Sequence, residues 1–151
     1  QLSREVGDGW LVAIGHNNLG NTTRGLGDYD AARRHYRDSL RAYRDFDDKW
    51  AMAILLEDIG MLAALTGDAP AALELAGAAD TLRIALGAPR APPQEEEIEA
   101  RLNAAAASLP EPERTAHRAR GRNLDLGSAV ERALRFCESS TREPARQHVA
   151  Q

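Results

Sequence analysis

Apolar side chains recur along this chain at the three- and four-residue spacing that gathers them on one side of an α-helix. Trp10, Ala13, Ile14, Leu19 and Gly20 carry the pattern first, and Trp50, Ala53, Ile54, Ile59, Gly60, Leu62 and Ala63 carry it again. A shift of 40 residues, as from Trp10 to Trp50, also lays Arg4, Asp8, Gly27, Asp28, Ala31 and Ala32 on Arg44, Asp48, Gly67, Asp68, Ala71 and Ala72. In each copy the Gly-Asp pair supplies a residue free to turn left-handed, then a carboxylate able to cap the next helix. A returning helix follows, with an inner stripe of Ala31, Ala32, Tyr36, Leu40 and Tyr43 in the first copy. Ala71, Ala72, Leu75, Ala76, Ala79, Leu82 and Leu86 form the stripe of the second. Self-similarity at one fixed period marks units that bury their apolar faces against their neighbours. The expected fold is all-α, an α-α superhelix of antiparallel helix pairs.

Past Gly87 the identities stop at Pro89, Pro92 and Pro93. A helix opening on Pro93 with Glu95, Glu96 and Glu97 at its positive end would bury Ile98, Leu102, Ala105 and Leu109. Pro110 and Pro112 begin a short helix that should fade at Gly121. Asp125 can cap a last one bearing Leu126, Val130, Ala133, Leu134 and Cys137. The pattern predicts one domain over 1–138: repeats at 8–47 and 48–88, then a divergent helical cap at 89–138. Residues 1–7 align with 41–47 and read as the end of a truncated preceding repeat, which implies a longer parent chain. Residues 139–151 have little to bury and read as a disordered tail. Asp8 and Asp48 are expected to cap the tryptophan-bearing helices. Gly20 and Gly60 are expected at close helix contacts, because glycine inside a helix costs about 1 kcal/mol relative to alanine.

The run Asn17-Asn18-Leu19-Gly20-Asn21, then Gly27-Asp28-Tyr29-Asp30-Ala31-Ala32, then Tyr36 and Ser39-Leu40, resembles the tetratricopeptide repeat. The period exceeds that family's roughly 34 residues, and Thr23 stands where an aromatic is common. Further on, Ala71-Ala72, Leu75-Ala76-Gly77-Ala78-Ala79, Leu82-Arg83 and Leu86-Gly87-Ala88-Pro89 are followed by the acidic helix of Glu95 to Glu99 and by the helix at 126–134. Together they resemble the C-terminal end of large bacterial STAND-type transcriptional regulators and predicted ATPases. The resemblance implies a tetratricopeptide-like array that senses an inducer or partner and signals to ATPase and DNA-binding parts. Those parts are not in this sequence: Lys49 follows Asp47-Asp48 and precedes Trp50, with no phosphate-cradling glycine loop before it.

In such an array the first helix of each pair lines a concave groove. Asn17, Asn18, Asn21 and Arg24 would face it from the first copy, and Glu57, Asp58 and Met61 from the second. Carboxamides both donate and accept hydrogen bonds, so an Asn pair one turn apart can grip an extended peptide backbone. Arg24 adds a contact for a carboxylate. The reading is a noncatalytic scaffold that takes a peptide, protein or small-molecule inducer in that groove. The alternative is a self-association module driving homo-oligomerisation of a larger signalling ATPase.

Charge and composition narrow the rest. The formal charge of -4 disfavours a general grip on nucleic acid. No apolar run approaches the roughly 20 residues that cross a bilayer. The single cysteine fits a reducing cytoplasm, and the arginine- and alanine-rich usage suggests a bacterial source. His16, His35, His117 and His148 show no metal-ligand spacing, so neither metal nor cofactor is expected, and His16 reads as a packed structural imidazole. Ser39, His35 and Asp38 are rejected as a catalytic triad because neighbours on one helix point apart, and no catalytic residue is assigned. Arg33, Arg37, Arg41 and Arg44 read as an outer face laced to Asp30, Asp38 and Asp45. Arg114, His117, Arg118, Arg120 and Arg122 form a second basic patch. Cys137 reads as buried.

Overall fold

The computed structural model describes residues 2–139, and all regular structure among them is helical. The helices are α1 Leu2–Gly25, α2 Tyr29–Tyr43, α3 Lys49–Leu65, α4 Ala69–Leu86, α5 Pro92–Ala105, α6 Glu111–Arg122 and α7 Leu126–Glu138. The turn chemistry works as its residue types dictate. Gly27 and Gly67 adopt φ of 79° and 80°, a left-handed conformation that costs glycine nothing. Asp28, Asp48 and Asp68 each accept a hydrogen bond from the backbone N–H three residues on, at 3.1, 2.9 and 3.1 Å. Such a cap is worth about 1 kcal/mol.

The pairs α1–α2 and α3–α4 pack as hairpins around Tyr36, Leu40, Leu55, Leu56, Ile59, Leu62 and Leu75, all fully buried. Each such side chain contributes roughly 1.5–3 kcal/mol on leaving water. Gly20 lies directly beneath the Tyr36 ring, where a methyl group has no room. Gly60 is looser, since a Cβ there would meet Leu75 and the α4 backbone at 3.5 to 3.8 Å, ordinary contact distances.

Three readings of the sequence change, and the packing of the last helix is added to them. Asp8 caps nothing, because α1 runs unbroken from Leu2 to Gly25, and residues 2–7 therefore extend this helix instead of ending a returning one. The 40-residue spacing outlasts the identities: α3 shifted by 40 covers 89–105, where α5 lies, and α4 shifted by 40 covers 109–126, where α6 lies. α6 also runs past Gly121 to Arg122, crossing α4 where Gly77 and Gly121 let the two backbones touch. Finally, α7 folds back over α2, α3 and α4.

That return reassigns the first arginine stripe. Arg33 is buried under α7, lies 4.2 Å over the Phe136 ring, and donates to the carbonyls of Phe136 at 2.7 Å and Ser139 at 3.1 Å. These are the unsatisfied carbonyls at the negative end of a helix dipole, where a cation belongs. Arg41 pairs with Glu138 and Arg44 with Glu131, both on α7, while Arg37 pairs with Asp38 on its own helix. The predicted disordered tail, except Ser139, lies outside the described residues.

Candidate binding groove

The groove is built by the first helices of successive pairs. Spacings of four and three residues put Asn17, Asn21 and Arg24 on one stripe of α1, and all three converge on Asp58 of α3. Asn17 donates to the Asp58 carboxylate at 3.1 Å, and Arg24 donates to the Asp58 backbone carbonyl at 3.0 Å with its charge 3.8 Å from the carboxylate. Asn21 accepts the Tyr36 hydroxyl at 2.7 Å and favours the charged form of Asp58. The Tyr36 phenol is pushed well above its ordinary value, first by burial and then by the nearby Asp58 charge. Asp58 itself is raised from 3.8 because burial outweighs the opposing pull of Arg24 and of the two asparagines.

A carboxyl raised in the fold is protonated more readily there than in the unfolded chain. The fold therefore loses stability as pH climbs from 3.8 through the folded value, and the loss persists at higher pH. Asp58→Asn keeps the shape and an acceptor for Asn17 while removing the charge. The expected result is a higher melting temperature at pH 7 and a shallower decline in stability above about pH 4, read by calorimetric scans across pH.

Of the other sequence-chosen residues, Glu57, Asp58 and Met61 line a cleft of about 140 Å³ whose far wall is Gln94, Glu97, Ile98 and Arg101 of α5. Sequence reasoning missed that wall, although the period points to it: 17, 18 and 21 become 57, 58 and 61, then 97, 98 and 101. Glu57 serves the fold as well as the cleft, being 7% exposed and held by Arg83 and Arg90. Asn18 is exposed and stands apart from the Asp58 cluster.

The remaining candidates resolve into structure. His16 is half-buried, with Nδ1 3.3 Å from Nδ1 of His35 across the α1–α2 hairpin, a pairing that sequence spacing did not suggest. Ser39 is fully buried and donates to the Ala13 carbonyl at 2.7 Å, so its hydroxyl does not serve His35. In the second basic patch, Arg118 and Arg122 face Asp80, while His117 and Arg120 face Glu74, with α4 supplying both acids. Burial pushes the Cys137 thiol up to about 12, and since the thiolate is the reactive form, aromatic disulfide reagents at pH 8 should label it only as fast as the chain unfolds. Labelling within seconds in native buffer would contradict this placement.

The tetratricopeptide repeat family matches residues 11–79. No curated protein and no solved structure matches the chain. No helix among the described residues is long and apolar enough to cross a membrane. The α1–α4 pairs thus form a tetratricopeptide-like region, and the chain folds as an all-α helical solenoid of that type.

Proposed function

We propose that the chain is a protein-interaction scaffold that clasps a peptide or protein segment along the side shared by α1, α3 and α5. The observation that carries this reading is Asp58. The fold disfavours its charge, yet four side chains are spent on orienting it, Asn17, Asn21 and Arg24 of α1 directly and Tyr36 of α2 through Asn21. Perturbed, pre-oriented ionisable groups in a cleft are characteristic of binding sites. The Met61 thioether lines the same cleft as an adaptable contact, and farther along the α1 side the exposed Asn18 carboxamide offers a polar one. A tetratricopeptide-like region is, as a class, a noncatalytic platform of this kind.

On this reading the chain works in the cytoplasm as the C-terminal sensing part of a bacterial transcriptional regulator, the context that the helices at 71–89, 95–99 and 126–134 resemble. Affinity capture with the wild type and with Asn18→Arg and Met61→Arg tests the groove. Partners held by the wild type should be lost from both variants. Unchanged capture by either would end the groove reading.

A second reading, self-association, is favoured by α1. Leu11, Val12 and Leu19 are 61, 53 and 47% exposed, and Leu26, in the turn that follows the helix, is 79% exposed. The residues 40 positions on from Val12 and Leu19, Met52 and Ile59, are 4 and 0% exposed in the core beneath the first hairpin. A face built like an internal interface suits a second copy packing α1 against α1. Light scattering should then show a dimer that Leu19→Arg dissociates; a wild-type monomer at high micromolar concentration excludes it.

A further inference from the structure

α5 and α6 both pack on α4 yet scarcely touch one another. The space between them is a cavity of about 510 Å³, within the range that holds small organic ligands. Charge spans this gap where apolar packing closes the other two hairpins. Arg90, its side chain 3% exposed, donates to Glu57 and Asp80 at 2.9 Å and to Glu95 at 3.0 Å. Arg118 donates to Asp80 at 2.9 Å and to Glu99 at 2.8 Å.

These bonds engage every nearby carboxylate but leave guanidinium capacity unused. Arg90 Nη2 is buried with no hydrogen-bond partner among the described residues. Arg118 bonds through Nε and Nη2, and Nη1 has no hydrogen-bond partner among the described residues. Arg122 is half-exposed and reaches Asp80 only at 3.5 Å. One wall is apolar, formed by Ile84, which is 81% exposed, and by Pro89.

We propose that this cavity binds a small organic anion, a carboxylate carried on an apolar group. The carboxylate sits between Arg118 and Arg122, and the apolar part lies against Ile84 and Pro89. A planar guanidinium pair suits a carboxylate because parallel N–H donors match its two oxygens. The incoming group replaces the long Arg122–Asp80 contact and leaves the Arg118 Nε bond to Asp80 intact. This site is separate from the groove beside Asp58, so either can fail without the other.

Trp50 is a built-in reporter, since Arg83, which lines the cavity, lies 5.2 Å over its ring. Octanoate, octylammonium and octanol are titrated into the protein, followed by tryptophan emission and calorimetry. Octanoate should bind saturably, with the cation and the neutral alcohol silent at the same concentrations. Arg122→Gln, at a half-exposed position, should weaken octanoate at least tenfold while circular dichroism stays that of the wild type. No octanoate response up to millimolar concentration overturns the proposal. So does an equal response to octanol, or unchanged affinity in Arg122→Gln.

Discussion

Gly121→Ala should lower the stability of the chain by about 2–4 kcal/mol, the upper end of what overpacking costs. A Cβ at Gly121 would meet the carbonyl and Cα of Glu74, and one at Gly77 would meet the backbone of Arg118 and Arg122. Backbone on both sides cannot rotate aside as a side chain can. The whole of α6 must move outward, and with it go the contacts of Arg118 and Arg122 to Asp80.

Gly15→Ala is the matching control. It also lies inside a helix, but nothing comes within 4 Å of its added methyl. The gain from removing a helix glycine, roughly 0.5–1 kcal/mol, should therefore appear as increased stability. For a chain of this size each kcal/mol moves the midpoint by about 2–4 °C. Thermal scans should show the two variants shifting in opposite directions. Equal shifts would mean that α6 does not cross α4 where the two glycines meet.

What could be read from residues and what could not follow a physical division. Turns are local, so Gly27-Asp28 and Gly67-Asp68 announced both hairpins within a few residues of chain. Stripes on one helix are local too, and Asn17, Asn21 and Arg24 do share a face. The third pair, α5 and α6, kept its position while losing the identities that would have marked it. Charged network residues hold it in place of the small-residue stripe that marks α4. α7 was legible as a helix but not as a returning one, because the contact that seats it joins Arg33 to Phe136, 103 residues apart. The Glu57 side chain is the same lesson inside the candidate groove. Its helix position pointed to the cleft, whereas its partners Arg83 and Arg90 lie 26 and 33 residues away and bury it.

Glu57→Ala should cost about 3–5 kcal/mol, the range for breaking a buried ion pair on one side. Glu57 accepts from Arg83 through both carboxylate oxygens and from Arg90 at 2.9 Å. Without it Arg90 still has Asp80 and Glu95. Arg83, 6% exposed, keeps only the Ala88 carbonyl and the Trp50 ring face among the described residues. A guanidinium in that state either draws water into the core or swings out of it, and both loosen the 87–91 segment from α3. Because α5 enters from that segment, the cleft beside Asp58 and the cavity between α5 and α6 lose their shared wall. Glu57→Gln should fall between, since it retains volume and one acceptor but not the charge. Glu57→Ala combined with Arg83→Met should recover part of the loss, because the stranded charge is gone. Urea unfolding of the wild type, Glu57→Ala, Arg83→Met and the double variant, with tryptophan emission as reporter, measures the coupling. A double variant no more stable than Glu57→Ala alone would show that the cost lies in the missing side-chain volume and not in the unpaired arginine.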